Sequence, residues 1–502
     1  MDLPDFQPES DASKKICIIG AGPAGLAALK VVLDSSQYKA GQWEVTAYEA
    51  RNKLGGVWLP APPLDDPPLT PLYNSLTTNI PHPIMAFTSY PFPPSTPLFP
   101  HADVVHKYLE DFADHFGLHP HIELSTTVTS ITRSESNSDW EVSLSTGPTV
   151  SFDLVIVCNG HYHIPRYPNT PGIAAWLSSG RATHSAWYRH PHNLGDKVLV
   201  VGAGPSGQDI SAEMCCAAQT VIHSATGALP EDVGNLKRRG RVTHFGSTSD
   251  GQVTFEDGSV ESGISHTILA TGYETSFPFL GANIIRSSVP PPVPPLPREI
   301  YNSTYGVFPL AKHVFPLQNA FPTSSLAFLG LLVRVAPFPV VEAQARAVLH
   351  AFTNPGSLEP MQEAVDIISR YEELRRNVGD SPLAIAKAWH RFEAMQQFEY
   401  RDALYDFVSA AQGGKLDLVW GDQWGRTLED DGRVPEWEKE VYRNKDILRK
   451  AWVKVEEIGE AGKWVKGVGE GGTHEWVEMM DRLKKWAIEQ GIELKDVDKA
   501  KL

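Results

Sequence analysis

Two glycine-rich segments have the residue types and spacing that hold a dinucleotide. The first consists of Gly20, Ala21, Gly22, Pro23, Ala24 and Gly25 and follows the apolar run 16–19; the second contains Gly202, Gly204, Ser206 and Gly207 and follows the apolar run 198–201. In this pattern the first glycine turns the chain tightly, the second lets the backbone approach a pyrophosphate, and the third lets helix and strand pack closely. The pyrophosphate then binds to free N–H groups at a helix N-terminus. One match can be a purely structural turn, but two in strand–turn–helix context indicate a protein that binds two dinucleotides and passes electrons between them.

A carboxylate accompanies the first glycine segment. Glu49 ends the apolar segment 43–48, roughly 20 residues after the last glycine, where a carboxylate commonly binds the ribose of a dinucleotide. A carboxylate there can also simply end a strand, so the assignment depends on the glycines that precede it. The stretch 55–58 is Gly-Gly-Val-Trp, and the proline-rich segment 60–100 follows it. That proline content predicts an ordered loop, because proline interrupts both helices and central strands.

The elements that must position these residues are two βαβ units, over 14–49 and 197–223, because short apolar runs bounded by glycine indicate buried parallel strands. The pattern therefore predicts an α/β fold with two Rossmann-like domains. Further strands are expected within 121–157, 253–255 and 267–270, and helices at 104–116 and 340–352. The segment 165–191 is interpreted as a connector, and 290–297, with six prolines, as a stiff extended spacer. From about residue 420, charged residues with tryptophan at 420, 424, 437, 452, 464, 476 and 486 predict a helical extension whose tryptophans anchor it to a core.

The composition excludes several classes of protein. A chain of 502 residues, 42% hydrophobic and 21% charged, is expected to form two or three soluble globular domains. The formal charge of −16 argues against a nucleic-acid partner or an anionic membrane surface. No secretory signal opens the chain, and no apolar stretch approaches the roughly 20 residues of a transmembrane anchor. Four cysteines without a C-x-x-C motif favour a reduced, cytoplasmic protein, and the histidines lack the spacing of metal ligands, so no metal is expected.

Several segments together resemble the flavin-containing monooxygenase family, in that family's order. The family's linker motif F-x-G-x-x-x-H-x-x-x-(Y/F) corresponds to Gly180, His184 and Tyr188, with Ser178 in place of the phenylalanine. Residues 73–81 are similar to the family's segment against the flavin, including its active-site asparagine, here Asn79. Also similar are 157–162, 269–273, 326–330 and 334–339. The resemblance covers about residues 14–410, and the chain lacks the membrane anchor of the vertebrate members, so it looks like a soluble fungal or microbial relative.

The resemblance implies that the first glycine segment binds FAD and the second binds NADPH. Glu49 would contact the FAD ribose, and Val57 and Trp58 would lie along the flavin. Thr78, Asn79 and Ile80 would reach both flavin and nicotinamide, with Asn79 as the catalytic residue. The NADPH site would include Gly202, Gly204, Ser206, Gly207, Gln208, Asp209, Ser224, Thr271 and Gly272. His184 is expected to be a linker residue and not a catalytic base.

The implied reaction begins with hydride transfer from nicotinamide to flavin. Reduced flavin then reacts with molecular oxygen to give a C4a-hydroperoxide, and a soft nitrogen or sulfur of a small amine, thiol or thioether takes the distal oxygen. NADPH should be preferred over NADH, because the segment 220–224 ends without a carboxylate that would repel a 2′-phosphate. Lys237, Arg238, Arg239 or Arg241 could supply a compensating positive charge.

The implied domains are a split FAD domain over 14–190 and 313–420, an inserted NADPH domain over 191–312, and the helical extension 421–502. Three different functions stay open beside the monooxygenase. A Baeyer–Villiger monooxygenase shares both glycine segments, but its linker ends in tryptophan followed by proline or aspartate, where this chain has Tyr188 and Arg189. A two-nucleotide reductase would serve a protein partner, and an FAD-stabilised interaction protein would use the extension. The sequence leaves open the substrate and whether the protein is a homodimer.

Overall fold

The computed structural model describes residues 13–134, 139–409 and 433–492. The helices, in chain order, are α1 Pro23–Asp34, α2 Ser36–Lys39, α3 His82–Met85, α4 Ala102–His115, α5 Ile173–Ser178, α6 Pro205–Met214, α7 Pro337–Thr353, α8 Pro360–Val378, α9 Pro382–Ala388, α10 Gln396–Ser409, α11 Glu436–Arg443, α12 Lys445–Glu457, α13 Ala461–Val465 and α14 Thr473–Glu489. The strands are β1 Lys14–Ile19, β2 Trp43–Tyr48, β3 Ile122–Glu123, β4 Val128–Arg133, β5 Trp140–Leu144, β6 Val150–Phe152, β7 Leu154–Val157, β8 Ile164–Pro165, β9 Ala182–His184, β10 Lys197–Val201, β11 Thr220–Ser224, β12 Glu231–Val233, β13 Leu236–Arg239, β14 Val242–Phe245, β15 Val253–Phe255, β16 Val260–Glu261, β17 His266–Leu269, β18 Tyr273–Glu274, β19 Ile285–Arg286, β20 Ile300–Asn302, β21 Val307–Phe308, β22 Leu310–Ala311, β23 Phe315–Pro316 and β24 Leu326–Phe328.

The first glycine segment follows the carboxyl end of β1. This strand is the central one of a parallel sheet with the strand order β24–β7–β1–β2–β3. Ile16, Cys17 and Ile18 in β1 are fully buried, since α1 and α7 cover one face of the sheet and the small antiparallel sheet β4–β5–β6 lies against the other. A parallel strand covered on both faces must be apolar throughout, which is why the run 16–19 contains no polar side chain. The predicted strand–helix–strand unit over 14–49 is confirmed.

The second glycine segment lies in a separate sheet with the strand order β12–β13–β11–β10–β17–β9, in which only β12 runs antiparallel to its neighbour. The predicted second unit is therefore also confirmed. The interpretation of 165–191 as a connector is wrong in part. Residues 182–184 pair in parallel with β17, and the Trp176 ring of α5 packs against Phe245 at a centroid distance of 5.3 Å. The structure thus places 173–184 with the second sheet, before the boundary expected at residue 190.

The proline-rich segment 60–100 is mainly an ordered loop, as its composition predicts. Burial of its apolar side chains is what orders it. It contains one short helix, α3, which the proline content argues against. Phe87, Phe92, Leu98 and Phe99 are buried in the main core. The Glu342 carboxylate of α7 accepts hydrogen bonds from the backbone N–H of Thr88 at 2.6 Å and of Ser89 at 3.3 Å. The segment is therefore held as part of the first domain.

The C-terminal helices are integral to the first domain. Trp452 is fully buried and Trp476 is 5% exposed, and both belong to the hydrophobic core that contains α1, α4 and α7. Trp437, Trp464 and Trp486 pack against the same core, so the anchoring role predicted for the tryptophans is confirmed for these five. Trp420 and Trp424 lie outside the described residues. Among the helices described, none combines the length and hydropathy that crossing a bilayer requires.

The segment 290–297, expected to be a stiff spacer, is packed against the protein. It carries neither helix nor strand, yet Val293 is only 3% exposed and packs in a cluster with Phe308, Ile367 and Trp389. Val293 therefore holds the segment against α8 and α9, so the segment is not a free linker between two domains.

Candidate active site

The first turn, at Gly20 and Gly25, has room only for glycine. Gly20 has a φ of +99°, and a Cβ there would lie 2.7 Å from the Cys158 carbonyl oxygen at the end of β7. A Cβ on Gly25 would lie 1.8 Å from the Gly20 carbonyl oxygen. These contacts are the tight turn and the close helix–strand approach of a dinucleotide-binding unit.

The second turn repeats the arrangement. Gly202 has a φ of +136°, and its added Cβ would lie 2.1 Å from the Ala270 carbonyl oxygen. A Cβ on Gly207 would lie 2.1 Å from the Gly202 carbonyl oxygen, which matches the approach of Gly25 to Gly20. At Gly204 an added Cβ would meet no described protein atom within 4 Å, so the backbone there is open to a ligand.

Both helices that follow these turns present uncapped N-termini. α1 begins after Gly22 and α6 after Gly204; each has proline in its first turn, no side-chain cap and no acidic residue in that turn. Free N–H groups at a helix start bind phosphate, and an acidic residue in the first turn would oppose this. The residues present therefore fit a pyrophosphate at each turn.

Glu49 lies beside the first turn, where the sequence predicts a ribose-binding carboxylate. It is 6% exposed, and its two oxygens accept hydrogen bonds from the backbone N–H of Ala21 at 2.8 Å and of Arg51 at 2.9 Å. Each carboxylate oxygen has a second lone pair. Ribose binding by Glu49 is thus compatible with the geometry and stays a prediction.

The segment 73–81 turns Asn79 outward. Thr78 and Ile80 are buried, and the Thr78 hydroxyl donates to the Ile80 carbonyl oxygen at 2.9 Å. The backbone N–H of Thr78 donates to the Pro100 carbonyl oxygen at 2.9 Å. Asn79 is exposed, and within the described ranges no residue forms a hydrogen bond with its side-chain amide. The sequence predicts that all three side chains reach the cofactors, but the structure leaves only Asn79 open and uses its neighbours to brace the loop.

Val57 and Trp58 lie on the turn that faces α1. Both are half-buried, the Val57 carbonyl oxygen accepts from the Thr70 hydroxyl at 2.6 Å, and the Trp58 ring packs edge-on against Phe338. The adjacent Gly56 touches the first glycine segment, since a Cβ on Gly22 would come within 3.2 Å of the Gly56 Cα. The segment 55–58 is therefore placed beside the first turn, as the resemblance implies.

Asp209 does not point at the glycine turn that precedes α6. Its carboxylate accepts a hydrogen bond from the Tyr73 hydroxyl at 2.6 Å, across the boundary between the two nucleotide-binding units. Burial, together with the charged carboxylate beside it, raises the pKa of Tyr73, so the phenol keeps its proton. The Asp209 side chain thus forms a bridge to the segment that carries Asn79, and its expected role at the pyrophosphate stays a prediction. In the sequence, Tyr73 is only the first residue of that segment, and nothing there marks it as the partner of Asp209.

The remaining expected NADPH contacts divide into open and enclosed groups. Ser206 is half-buried and Gln208 is exposed at the start of α6. Ser224 is 1% exposed and donates to the Gly240 carbonyl oxygen at 2.8 Å, so its hydroxyl faces the sheet interior and not a 2′-phosphate. The Thr271 hydroxyl donates to the Arg166 carbonyl oxygen at 2.6 Å, which fixes the turn that ends at Gly272.

The four basic residues near the end of β11 all have acidic partners. Lys237 and Arg239 pair with Glu261, Arg238 with Glu231, and Arg241 with Glu256. Arg241 is the most exposed of them, at 60%, and follows Gly240, which contacts the end of β11. It is therefore the most accessible of the four, and a contact between it and a 2′-phosphate stays a prediction.

His184 is built into the linker. Its Nδ1 accepts the backbone N–H of Ala186 at 3.1 Å, so its Nε2 carries the proton and donates to the Gly272 carbonyl oxygen at 3.0 Å. Burial lowers the pKa of His184 to about 4. The ring is therefore neutral at physiological pH, and both of its nitrogens are used, which agrees with a linker residue and leaves no free base.

Comparisons with known proteins agree with this geometry. A family model described as flavin-binding monooxygenase-like matches residues 13–229 and 228–404. The chain is 32% identical over 393 residues to flavin-containing monooxygenase FMO GS-OX-like 7 of Arabidopsis thaliana, covering 72% of this chain and 78% of the relative. It is 28% identical over 491 residues to dimethylaniline monooxygenase (N-oxide-forming) 2 of Cavia porcellus, covering 81% and 84%. Among solved structures, S-allyl-L-cysteine S-oxygenase from Allium sativum superposes with a TM-score of 0.70 at 25% identity, covering 94% of this chain and 99% of that one.

The chain therefore belongs to the flavin-binding monooxygenase-like family, and the family resemblance is confirmed. It is a flavoprotein oxidoreductase, an NADPH-dependent flavin monooxygenase with FAD and NADPH as its cofactors. The expected fold, two dinucleotide-binding units with a helical C-terminal region, is likewise confirmed.

Proposed function

We propose that this protein transfers one atom of molecular oxygen to the soft sulfur or nitrogen atom of a small molecule, with thioethers as the leading substrate class. For a thioether the reaction is R₂S + O₂ + NADPH + H⁺ → R₂SO + H₂O + NADP⁺. Support for sulfur comes from the S-oxygenase that covers nearly this whole chain, and support for nitrogen from the N-oxide-forming relative.

The observation that carries this proposal is the exposed Asn79 amide, on a loop that Tyr73 joins to α6 and that Ile80 packs against the core containing α1. When bound, FAD supplies the oxygen chemistry and NADPH the electrons. An amide can donate and accept hydrogen bonds without carrying a charge or releasing a proton. Asn79 would therefore orient the nicotinamide and the oxygen-bearing group together without acidifying the site.

Two titratable groups, one in the linker and one in the Asn79 loop, are engaged in hydrogen bonds within the protein. His184 is neutral and fully engaged, and the Tyr73 phenol is held by Asp209, so neither group supplies an acidic proton. Thr78 and Ile80 close the loop against the core on either side of Asn79.

The experiment is an oxygen-transfer assay on the FAD-loaded enzyme with NADPH and isotope-labelled dioxygen. S-allyl-L-cysteine, N,N-dimethylaniline and cyclohexanone are offered separately, and products are analysed by mass spectrometry. A sulfoxide or N-oxide carrying one labelled oxygen supports the proposal. A lactone from cyclohexanone as the sole oxygenated product would instead identify a Baeyer–Villiger enzyme, and NADPH oxidation only with an artificial electron acceptor would identify a reductase.

A further inference from the structure

A charged side chain from the C-terminal helices reaches the segment that carries Asn79. α12 buries Leu448, Ala451 and Trp452 in the core, which leaves Arg449 half-buried at the rim of that face. The Arg449 guanidinium donates a hydrogen bond to the Thr77 hydroxyl oxygen and lies 5.1 Å from the centroid of the Phe99 ring. Thr77 precedes Asn79 by two positions, so the extension contacts the catalytic loop directly.

The same guanidinium interacts electrostatically with the NADPH-binding unit. The guanidinium lies within electrostatic range of Asp209, Glu456 and Tyr73. Asp209 lies on α6 and accepts the Tyr73 hydroxyl, and Glu456 accepts the Trp452 indole N–H at 2.8 Å. Arg449 is thus the cation at a point where the extension, the Asn79 loop and α6 meet.

Asp209 presents an electrostatic problem that Arg449 can solve. The start of α6 is built for an anionic pyrophosphate, yet a carboxylate follows within its second turn. Like charges at this range repel, and the repulsion is largest where water is partly excluded. The Arg449 guanidinium lies within electrostatic range of that carboxylate, and it is bonded to the loop whose Tyr73 hydroxyl donates to Asp209. It can therefore offset part of the carboxylate's charge without occupying the turn.

We infer that Arg449 is a positioning residue for NADP(H): it offsets the charge of Asp209 and holds the Asn79 loop, which Tyr73 joins to α6, so that the C-terminal extension controls how tightly the nucleotide is retained. This role depends on the NADPH site and concerns nucleotide binding, not the identity of the oxygenated substrate. It therefore stands or falls separately from the proposed thioether or amine chemistry.

The primary test is the NADP⁺ dissociation constant of the FAD-loaded enzyme, measured by titration calorimetry. Arg449→Met keeps the length of the side chain but leaves Asp209 uncompensated, and we expect the dissociation constant to rise roughly five- to tenfold at low salt. Added salt should shrink the difference, because it screens the exposed charge. Arg443→Met on α11 is the matched control; that arginine is 46% exposed, pairs with Glu436, and should leave NADP⁺ affinity unchanged.

A second variant separates an electrostatic role from a structural one. Asp209→Asn keeps an acceptor for the Tyr73 hydroxyl and removes the charge, so adding it to Arg449→Met should restore NADP⁺ affinity to within about twofold of wild type. Asp209→Asn alone should tighten NADP⁺ binding at low salt, which tests the inference even if Arg449→Met does not fold. Hydrogen exchange of residues 73–81 should increase in Arg449→Met and not in Arg443→Met.

The outcomes are distinct. Wild-type NADP⁺ affinity in Arg449→Met would overturn the inference. So would weak binding that Asp209→Asn fails to restore, since Arg449 would then act only through packing. Failure of the wild-type enzyme to form a sulfoxide or N-oxide, with the NADP⁺ affinities of the variants as expected, would count against the proposed function and leave this role of Arg449 supported.

Discussion

The attachment of the C-terminal extension gives the sharpest stability prediction. Arg401 on α10 is 1% exposed, and its Nη1 donates to the Glu438 Oε2 of α11 at 2.7 Å, with Glu438 also 1% exposed. Glu438→Gln keeps the shape of the side chain but removes the charge. It leaves a guanidinium buried without its counter-ion, and breaking a buried pair in this way costs about 3–5 kcal/mol.

The lost free energy should weaken the packing of the C-terminal extension on the first domain, because Arg401 lies on α10 and Glu438 lies on α11 of the extension. Trp437 adjoins Glu438, so urea titration followed by tryptophan fluorescence reports the loss, and limited proteolysis identifies the released helices. Glu436→Gln is the control, since its carboxylate is exposed and its 2.8 Å pair with Arg443 contributes at most about 1 kcal/mol. Arg401→Met combined with Glu438→Leu replaces both charges by apolar groups and should recover stability to within about 1 kcal/mol.

Two results would refute this role of the buried charges. In the first, Glu438→Gln behaves like Glu436→Gln in both assays. In the second, the apolar double variant is less stable than Glu438→Gln alone. In either case the contact between α10 and α11 would owe its stability to packing, with no part for the buried charges.

Two further predictions concern the cofactor sites, and a third concerns the linker histidine. Arg241→Met should raise the KM for NADPH severalfold and leave the KM for NADH unchanged, because only NADPH carries a 2′-phosphate. The control variant Arg238→Met should leave both KM values unchanged. If the two variants change the KM for NADPH equally, Arg241 does not contact the 2′-phosphate. Gly22→Val should abolish FAD binding, because its side chain enters the space against Gly56 and the pyrophosphate; a full flavin absorption spectrum would contradict this. Burial lowers the pKa of His184 from 6.5 to about 4, so folding excludes a proton and stability should fall as pH decreases through that interval. His184→Gln keeps a donor and an acceptor and should flatten the denaturation profile between pH 6.5 and 4; an unchanged profile would assign the dependence to other groups.

The glycine segments and the strands beside them can be predicted from sequence because their determinants are local. The turn at Gly20, the helix after it and the carboxylate at Glu49 lie in one continuous unit, and each position has a separate physical requirement. The strand 182–184 escapes prediction because three residues give too little periodicity to distinguish a strand from a connector. It is fixed only by pairing with β17, more than 80 residues away.

The site itself is predictable in part. The sequence places Asn79 correctly on a loop, but its outward orientation follows from the burial of Thr78 and Ile80, which the sequence does not show. Asp209 pairs with Tyr73 across 136 residues, and Arg449 reaches Thr77 across 372. Contacts of this kind depend on how the domains and the extension pack, and no motif or spacing in the chain records them.

The most direct test of the central claim compares the wild-type enzyme with Asn79→Leu in oxygen-transfer stoichiometry. Oxygenated product and hydrogen peroxide are both measured per NADPH consumed, with S-allyl-L-cysteine or N,N-dimethylaniline as substrate, on protein of matched FAD content. We predict that wild type forms close to one product per NADPH, and that Asn79→Leu retains FAD and oxidises NADPH but releases hydrogen peroxide in place of product. Product formation by Asn79→Leu with wild-type stoichiometry would contradict the claim and reduce Asn79 to a turn residue.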